Sequence, residues 1–563
     1  TVETRQPIEV LMSKPEYKKQ RDLFLQGFAQ VQQRDADDPK SFFAVAGIHG
    51  LPFVPYDLLP GEKIPSTDWN KGELDRWGGY CHHGDILFPT WHRAYVLLLE
   101  MLIYEAAEEI VNGYGNGKEV DEYKKELKKI RFPYWDWASP STLVQGVPSV
   151  ILEEYVYVDT PTTKNSRIRN PLRAYTLPVN VGTLTLVGDT SNPTQRPYTP
   201  GTEIPFVPYT PAGYATVRNP DSNYLTNGDV TKLNVVTFCS SIFRPTMYQV
   251  LLVDKWRQFS NHGNFPDEPE GNLGHFSSIE VVHDAVHDAI GGVGGHMSYP
   301  DIASFDPIFF LHHANVDRLT AIWQACHPDV WIIGNNYTEG TFTNEYEKLI
   351  DKNTDLTPFR KTGDTYWNSD DVRYIKTLGY NYPELESEIE INKLLFNMLS
   401  YYHPNSYLRY HWKLTLTVKK RMVGSPFQIR VFLDFPTADA LTPVNSPNFA
   451  GLVSIFARGK ETSCGNCISN PEAVVNGSVD LTTCMQRLFI DLNVEPNHDG
   501  SITPSLKANQ ITLVAVLKDG SGISLEDAGL ITANYWVIDE SNNDPKQWTQ
   551  SKIGCVYPQP SDN

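Results

Sequence analysis

The 15 histidines of this chain fall into groups. His49, His82, His83 and His92 make up the first, and His275, His283, His287, His296, His312 and His313 the second, with none between positions 93 and 261. A neutral imidazole is a ready metal ligand at physiological pH and suits copper, zinc, iron and nickel. His283 and His287 stand at i and i+4, so a helix would set both rings on one face, able to share a metal. The pair His312-His313 offers a third ligand. His92 sits at an expected helix start in Thr90-Trp91-His92-Arg93. His83 lies nearby on what reads as a loop, and His49 follows the apolar run Phe42-Phe43-Ala44-Val45-Ala46. Any one of these could be a core or surface histidine with satisfied hydrogen bonds, but that reading would have to hold repeatedly and in two clusters.

The pattern narrows the metal. His-Glu-x-x-His, the zinc-peptidase signature, is missing, because Asp284 follows His283. No arrangement of two histidines and one carboxylate suggests non-haem iron. Two all-imidazole triads fit a pair of copper ions, since neutral ligands can hold both Cu(I) and Cu(II).

Four strings carry a family resemblance: Cys81-His82-His83, Phe88-Pro89-Thr90-Trp91-His92-Arg93, His283-Asp284-Ala285-Val286-His287, and the run from Phe305 to Arg318 that contains Phe309, His312, His313 and Asp317. They resemble the two copper-binding signatures of tyrosinases, catechol oxidases and haemocyanins, over most of residues 1–390. The whole chain is similar to basidiomycete mushroom tyrosinases in their latent, unprocessed form. The resemblance implies that His49, His83 and His92 hold one copper and that His283, His287 and His313 hold the other, with O2 as co-substrate and His312 behind the ligands. It implies a thioether link from Cys81 to His83 and an aromatic, Phe309, over one copper. It assigns Glu280 and the residue at position 284 to a water that deprotonates phenols. Many monophenol-active members carry Asn where this chain has Asp284, so oxidation of catechols is better supported than hydroxylation of phenols. Asp306 and Asp317 are expected to orient ligand imidazoles, with helix capping and ion pairing as the competing roles. The family also has an arginine near its start and a Tyr-x-Tyr near its domain boundary, so Arg5 is expected on Tyr380 and Tyr382.

The elements that must position these groups change character near residue 390. Before it, apolar spacing predicts helices over 16–34, 93–111, 279–290 and 313–325, with long ordered loops over 139–230. After residue 400 the period becomes two. Leu408, Tyr410, Trp412, Leu414, Leu416 and Val418 alternate with polar residues, which predicts a strand with one buried face. Further strands are expected over 428–433, 488–494 and 511–517. The fold class is therefore a mainly α catalytic domain, a helix bundle holding two coppers among long loops (1–392), followed by an all-β, sandwich-like domain (393–563). An acidic linker spans about 383–395. The β domain holds only His403, His411 and His498 and is expected to act as an inhibitory cap. Within it, Gly451 to Gly459 reads as a projecting loop whose Phe456 fills the substrate pocket. Cys464 and Cys467 have a spacing that suits either passing Cu(I) or forming a disulfide.

Composition fits an ordinary soluble globular protein, and 563 residues make two domains the expectation. The formal charge of −19 argues against a nucleic-acid partner. No apolar run is long enough to span a membrane. Seven cysteines, sparse and odd in number, suit a reducing compartment and lead us to expect a cytoplasmic location. The partners expected are small phenols such as tyrosine and catechols, an activating protease, and further copies of the chain in a homo-oligomer. Two other readings remain open: an O2 carrier like haemocyanin, with the same histidines but no substrate access, and a zinc-binding structural protein.

Overall fold

In this computed structural model, the residues described are 1–52, 54–57, 79–179, 181, 212–221, 226–228, 230–263, 272–334, 336–344, 348–403, 408–458 and 470–558. The first part is helical. Its site is built by α1 (Lys18–Gln33), α2 (Phe42–Gly47), α3 (Phe88–Asn112), α4 (Ile279–Gly291) and α5 (Ile308–Cys326). Local chemistry sets their ends. Pro89 opens α3, the Ser278 hydroxyl accepts from Val281 N–H at the start of α4, and Gly292 at φ +57° closes α4. α1 lies so close to α3 that a Cβ at Gly27 would stand 2.7 Å from the Ile103 carbonyl oxygen.

Arg5 pins the N-terminus to the far end of this domain. Its guanidinium lies 3.6 Å from the Tyr380 ring centre and 5.9 Å from that of Tyr382. It also pairs with Glu100 at 2.9 Å and Asp317 at 3.2 Å, all buried.

The expected linker is more ordered than its acidity suggested. Glu384 holds Arg318, and 391–402 form a helix, α6 (Ile391–Tyr402), capped by Glu390. Leu394, Leu395, Met398, Leu399 and Tyr402 bury one side of α6 in the helical core. The expected boundary at 392/393 thus falls in its first turn, and the exposed part is the stretch 386–393. Two further expectations need correcting. Residues 488–494 form no strand: a short helix, Thr482–Arg487, ends there and leaves Phe489 exposed at φ +57°. The span 139–230 is not loop alone, since Tyr155–Val158 pairs with Ser166–Arg169. A helical stretch over 230–251 follows, which no periodicity had signalled.

The second part is a two-sheet sandwich of β1 (Tyr410–Lys419), β2 (Phe427–Leu433), β3 (Phe449–Ile455), β4 (Val474–Asp480), β5 (Ile511–Leu517), β6 (Gly522–Ile523), β7 (Leu530–Asp539) and β8 (Thr549–Tyr557). One sheet runs β3-β2-β5-β6 and the other β4-β1-β7-β8, all antiparallel. Trp412, Leu414, Leu416 and Val418 of β1 point into the sandwich core, as their alternation predicts. The opposite face of β1 is buried too. His411, Lys413 and Thr415 are covered because this sheet lies on the helical domain. There Lys413 Nζ donates to the His275 carbonyl at 3.0 Å, and Asn476 N–H to the His262 carbonyl at 2.8 Å. Among the described residues, no helix is long and apolar enough to cross a membrane.

Candidate metal centre

The two histidine groups converge. His283 and His287 project from one face of α4, with His312 and His313 from α5 opposite them. The ligand-capable atoms of these four lie within 4.8 Å of one another, as do those of His49, His83 and His92. His92 rides in the first turns of α3, His49 follows α2, and His83 lies on the segment before α3. The clusters adjoin: His92 stacks on His313 at 4.3 Å, and the His83 and His283 rings are 5.8 Å apart.

The hydrogen bonds show which nitrogens face inward. Nδ1 of His49 lies 2.8 Å from the Pro300 carbonyl, that of His92 2.8 Å from Phe88, and that of His287 2.7 Å from Met297. A carbonyl only accepts, so each Nδ1 carries the proton and each Nε2 presents a lone pair. The Nε2 atoms of His92, His283, His287 and His313 are buried without a hydrogen-bond partner. A buried lone pair left unmatched is costly, and a metal ion would satisfy all of them. Burial holds these rings neutral, with His92 and His287 pulled down to about 3, and neutrality is the state a ligand needs. The donor set therefore fits soft-to-borderline ions such as copper. Both nitrogens of His312 are also unpartnered, and its ring stacks on His283 at 5.1 Å.

Around the clusters, carbonyls take the orienting role expected of two aspartates. Asp306 bonds Arg218 at 2.7 Å and caps α5 through Ile308 N–H at 3.0 Å. Asp317 bonds Arg93 at 2.5 Å and accepts from the Tyr380 and Tyr382 hydroxyls. Neither hydrogen-bonds a ligand imidazole in this structure; both serve charge pairing, because buried arginines compete for them. Phe309 packs on His313 at 4.3 Å and His49 at 4.9 Å, between the clusters. Cys81 is a buried thiol whose Sγ lies 3.1 Å from the His49 carbonyl, and burial pushes its pKa up to about 12.

Glu280, in the first turn of α4, grips the His83 segment. It lies 3.1 Å from His83 Nδ1 and accepts from Gly84 N–H at 2.9 Å. Asp284 lies 3.0 Å from His283 Nδ1. Burial raises the pKa of both carboxyls well above the ordinary range; Glu280 raises Asp284 further, while Lys420 opposes both shifts.

The β domain reaches this centre. Of the expected loop, residues 451–455 are strand, the end of β3, and Phe456 follows directly on it; Gly459 lies outside the described residues. The Phe456 ring stacks on His287 at 4.1 Å and 19°, 5.8 Å from His283 and 6.2 Å from His83. It belongs to the apolar cluster of the helical domain, not to that of the sandwich. Beside it Arg458 pairs with Asp301, and Lys518 bonds Asp288 at 2.7 Å. Cys464 and Cys467 lie outside the described residues.

Three histidines of the two sequence groups go elsewhere. His82 bonds Asp85, His296 accepts from Val217 N–H, and His275 sits under the β domain. Sequence reasoning missed His262 and Lys420. His262 Nδ1 lies 2.7 Å from Asp284, and Lys420 lies 3.2 Å from both His262 Nε2 and Glu339. His262 ends the histidine-free gap, but nothing along the chain pairs it with a lysine of the other domain.

Comparison with known proteins agrees with this geometry. The pattern of the common central domain of tyrosinase matches residues 39–326, and that of the tyrosinase C-terminal domain matches residues 411–530. Polyphenol oxidase 4 of Agaricus bisporus is 29% identical over 532 residues, covering 89% of this chain and 79% of that one. The tyrosinase of Neurospora crassa is 33% identical over 374 residues, covering 66% and 51% respectively. The structure of recombinant mushroom tyrosinase matches with a TM-score of 0.74 at 25% identity, covering 100% of this chain and 96% of that one. A mutant of Aspergillus oryzae pro-tyrosinase, at 21% identity and a TM-score of 0.71, shares the fold.

Proposed function

Because the chain belongs to the tyrosinase family, we propose that it oxidises phenols and o-diphenols to o-quinones with O2, feeding melanin formation, and is held latent by its own β domain. The observation that carries this reading is the pair of adjoining imidazole clusters, in which Nε2 of His92, His283, His287 and His313 is buried without a partner and Nε2 of His49 and His83 face each other at 3.1 Å. His49, His83 and His92 would hold one copper, and His283, His287 and His313 the other, with His312 packed behind them. Copper bound there supplies the redox chemistry with O2. The chain's own residues do the rest. Backbone carbonyls fix the ring orientations. Glu280 ties the His83 segment to α4, and with Asp284 it offers carboxylate oxygens that can take a phenol proton or hold a water that does. Cys81, joined to His83 through a thioether, would restrain that same segment.

Phe456 is a phenol ring without its hydroxyl. Stacked on His287, it occupies the space of a substrate without being one. Tethering makes such a blocker effective, because its local concentration reaches the millimolar range. Cutting within 383–395 and releasing the cap would open the centre, and 386–393 is the accessible part of that segment. Asp284 favours a second reading, catechol oxidation without hydroxylation, since a carboxylate replaces the more usual amide.

The test measures copper per chain and O2 uptake on a monophenol and a catechol, before and after limited proteolysis. Two coppers and strong activation by cleavage are expected. Zinc in place of copper, or no turnover after cleavage, would overturn the reading, and turnover of the catechol alone would select the catechol oxidase.

A further inference from the structure

His262 is fully buried between α4 and the β domain, outside both imidazole clusters. Its Nε2 is 3.2 Å from Lys420 Nζ. A lysine ammonium only donates, so Nε2 must accept and Nδ1 must carry the proton. That Nδ1–H points at Asp284 Oδ2, 2.7 Å away, with Glu280 Oε1 at 3.4 Å. The other oxygen of Asp284, Oδ1, lies 3.0 Å from His283 Nδ1, which also faces the Glu280 carbonyl at 3.2 Å. If His283 presents Nε2 to copper, its Nδ1 also bears a proton. Residue 284 is therefore met by two N–H donors, one on each oxygen.

A carboxylate satisfies two such donors; an amide cannot. Asparagine would turn its NH2 toward one of them, setting two donors face to face in a buried site, and a mismatch of that kind costs more than the bond it replaces. Resting on the copper-enzyme reading above, we propose that His262 is a positioning residue that, with His283, requires and orients a carboxylate at 284 where many relatives carry asparagine. The departure from the family pattern is then one half of a matched pair. In the capped protein, Lys420 completes a chain running from Lys420 through His262 and Asp284 to His283, so the cap contributes to the setting of a ligand histidine. Lys420 is itself held by Glu339 at 3.2 Å.

A double-mutant cycle tests this in the full-length, copper-loaded chain left uncut, its centre opened by Phe456→Gly so that Lys420 stays on His262. Asp284→Asn should lower turnover of catechol by about tenfold or more, in kcat more than in KM, as expected for loss of a charge-assisted bond. His262→Gln combined with Asp284→Asn lets the Gln carbonyl face the amide and should restore most of that loss at unchanged copper content. Simple additivity of the two changes, or an Asp284→Asn enzyme equal to the parent, would overturn the proposal. Should a variant fail to fold, the unmodified chain still decides. Imidazole 1H–15N spectra of the intact, copper-free protein should show His262 as the Nδ1–H tautomer, and an Nε2–H tautomer sinks the idea. A parent chain that binds no copper or leaves catechol untouched would instead refute the proposed function, with the tautomer result unaffected.

Discussion

The two imidazole clusters are built by different means. His283 and His287 share one helix face, and α5 brings its pair against them, so helix geometry sets most of that cluster. His49 and His83 come from non-helical segments 34 residues apart, and His83 is the less buried, with 12% of its side chain exposed. What holds His83 in place is Glu280, a residue of the other cluster's helix. Dependence therefore runs one way: the loop-borne cluster hangs on α4, while α4 stands on its own caps and core.

The largest effect should follow damage to the helix-borne cluster. His287→Ala should take activity to background and release one of two coppers, by metal analysis; a variant keeping both metals and full turnover would contradict the assignment. Next comes the tether. Glu280→Gln should weaken copper in the loop-borne cluster by about 10–100-fold, the range for groups that orient ligands, while the helix-borne cluster keeps its metal. Chelator competition resolves the two, and equal weakening of both would show that the dependence is mutual. Phe456 overlies the clusters unequally, stacked on His287 and farther from His83. Phe456→Gly should raise catechol turnover of the uncut chain by about tenfold, because only the tethered ring is lost and the cap still shields the mouth. No change would remove Phe456 as the blocker. The smallest effect is expected at Cys81. A thioether to His83 would appear as a deficit of about 2 Da in the denatured intact mass, and Cys81→Ser should loosen copper in the loop-borne cluster alone. A freely alkylated Cys81 in the loaded enzyme would exclude the link.

Some of this was legible along the chain because its physics is local. The spacing of His283 and His287, the apolar period of α3 and the alternation in β1 each depend on neighbours a few residues away, and each gave the observed element. α6 had the same kind of signal in Leu394, Leu395, Met398 and Leu399, hidden behind the acidic run that precedes it. The misread strand at 488–494 had apolar residues but no partner strand, and pairing is a long-range property.

The sequence by itself determined that two groups of imidazoles exist, which residues carry them, and that a helical part is followed by a β part. Tertiary structure alone decided what those groups touch. Carbonyls of Pro300 and Met297 orient His49 and His287, arginines claim Asp306 and Asp317, and the polar face of β1 becomes a buried interface. Lys420 meets His262 across 158 positions of chain. Such pairings arise when separate elements pack, and a backbone carbonyl or a distant lysine leaves no mark in the residue pattern beside its partner.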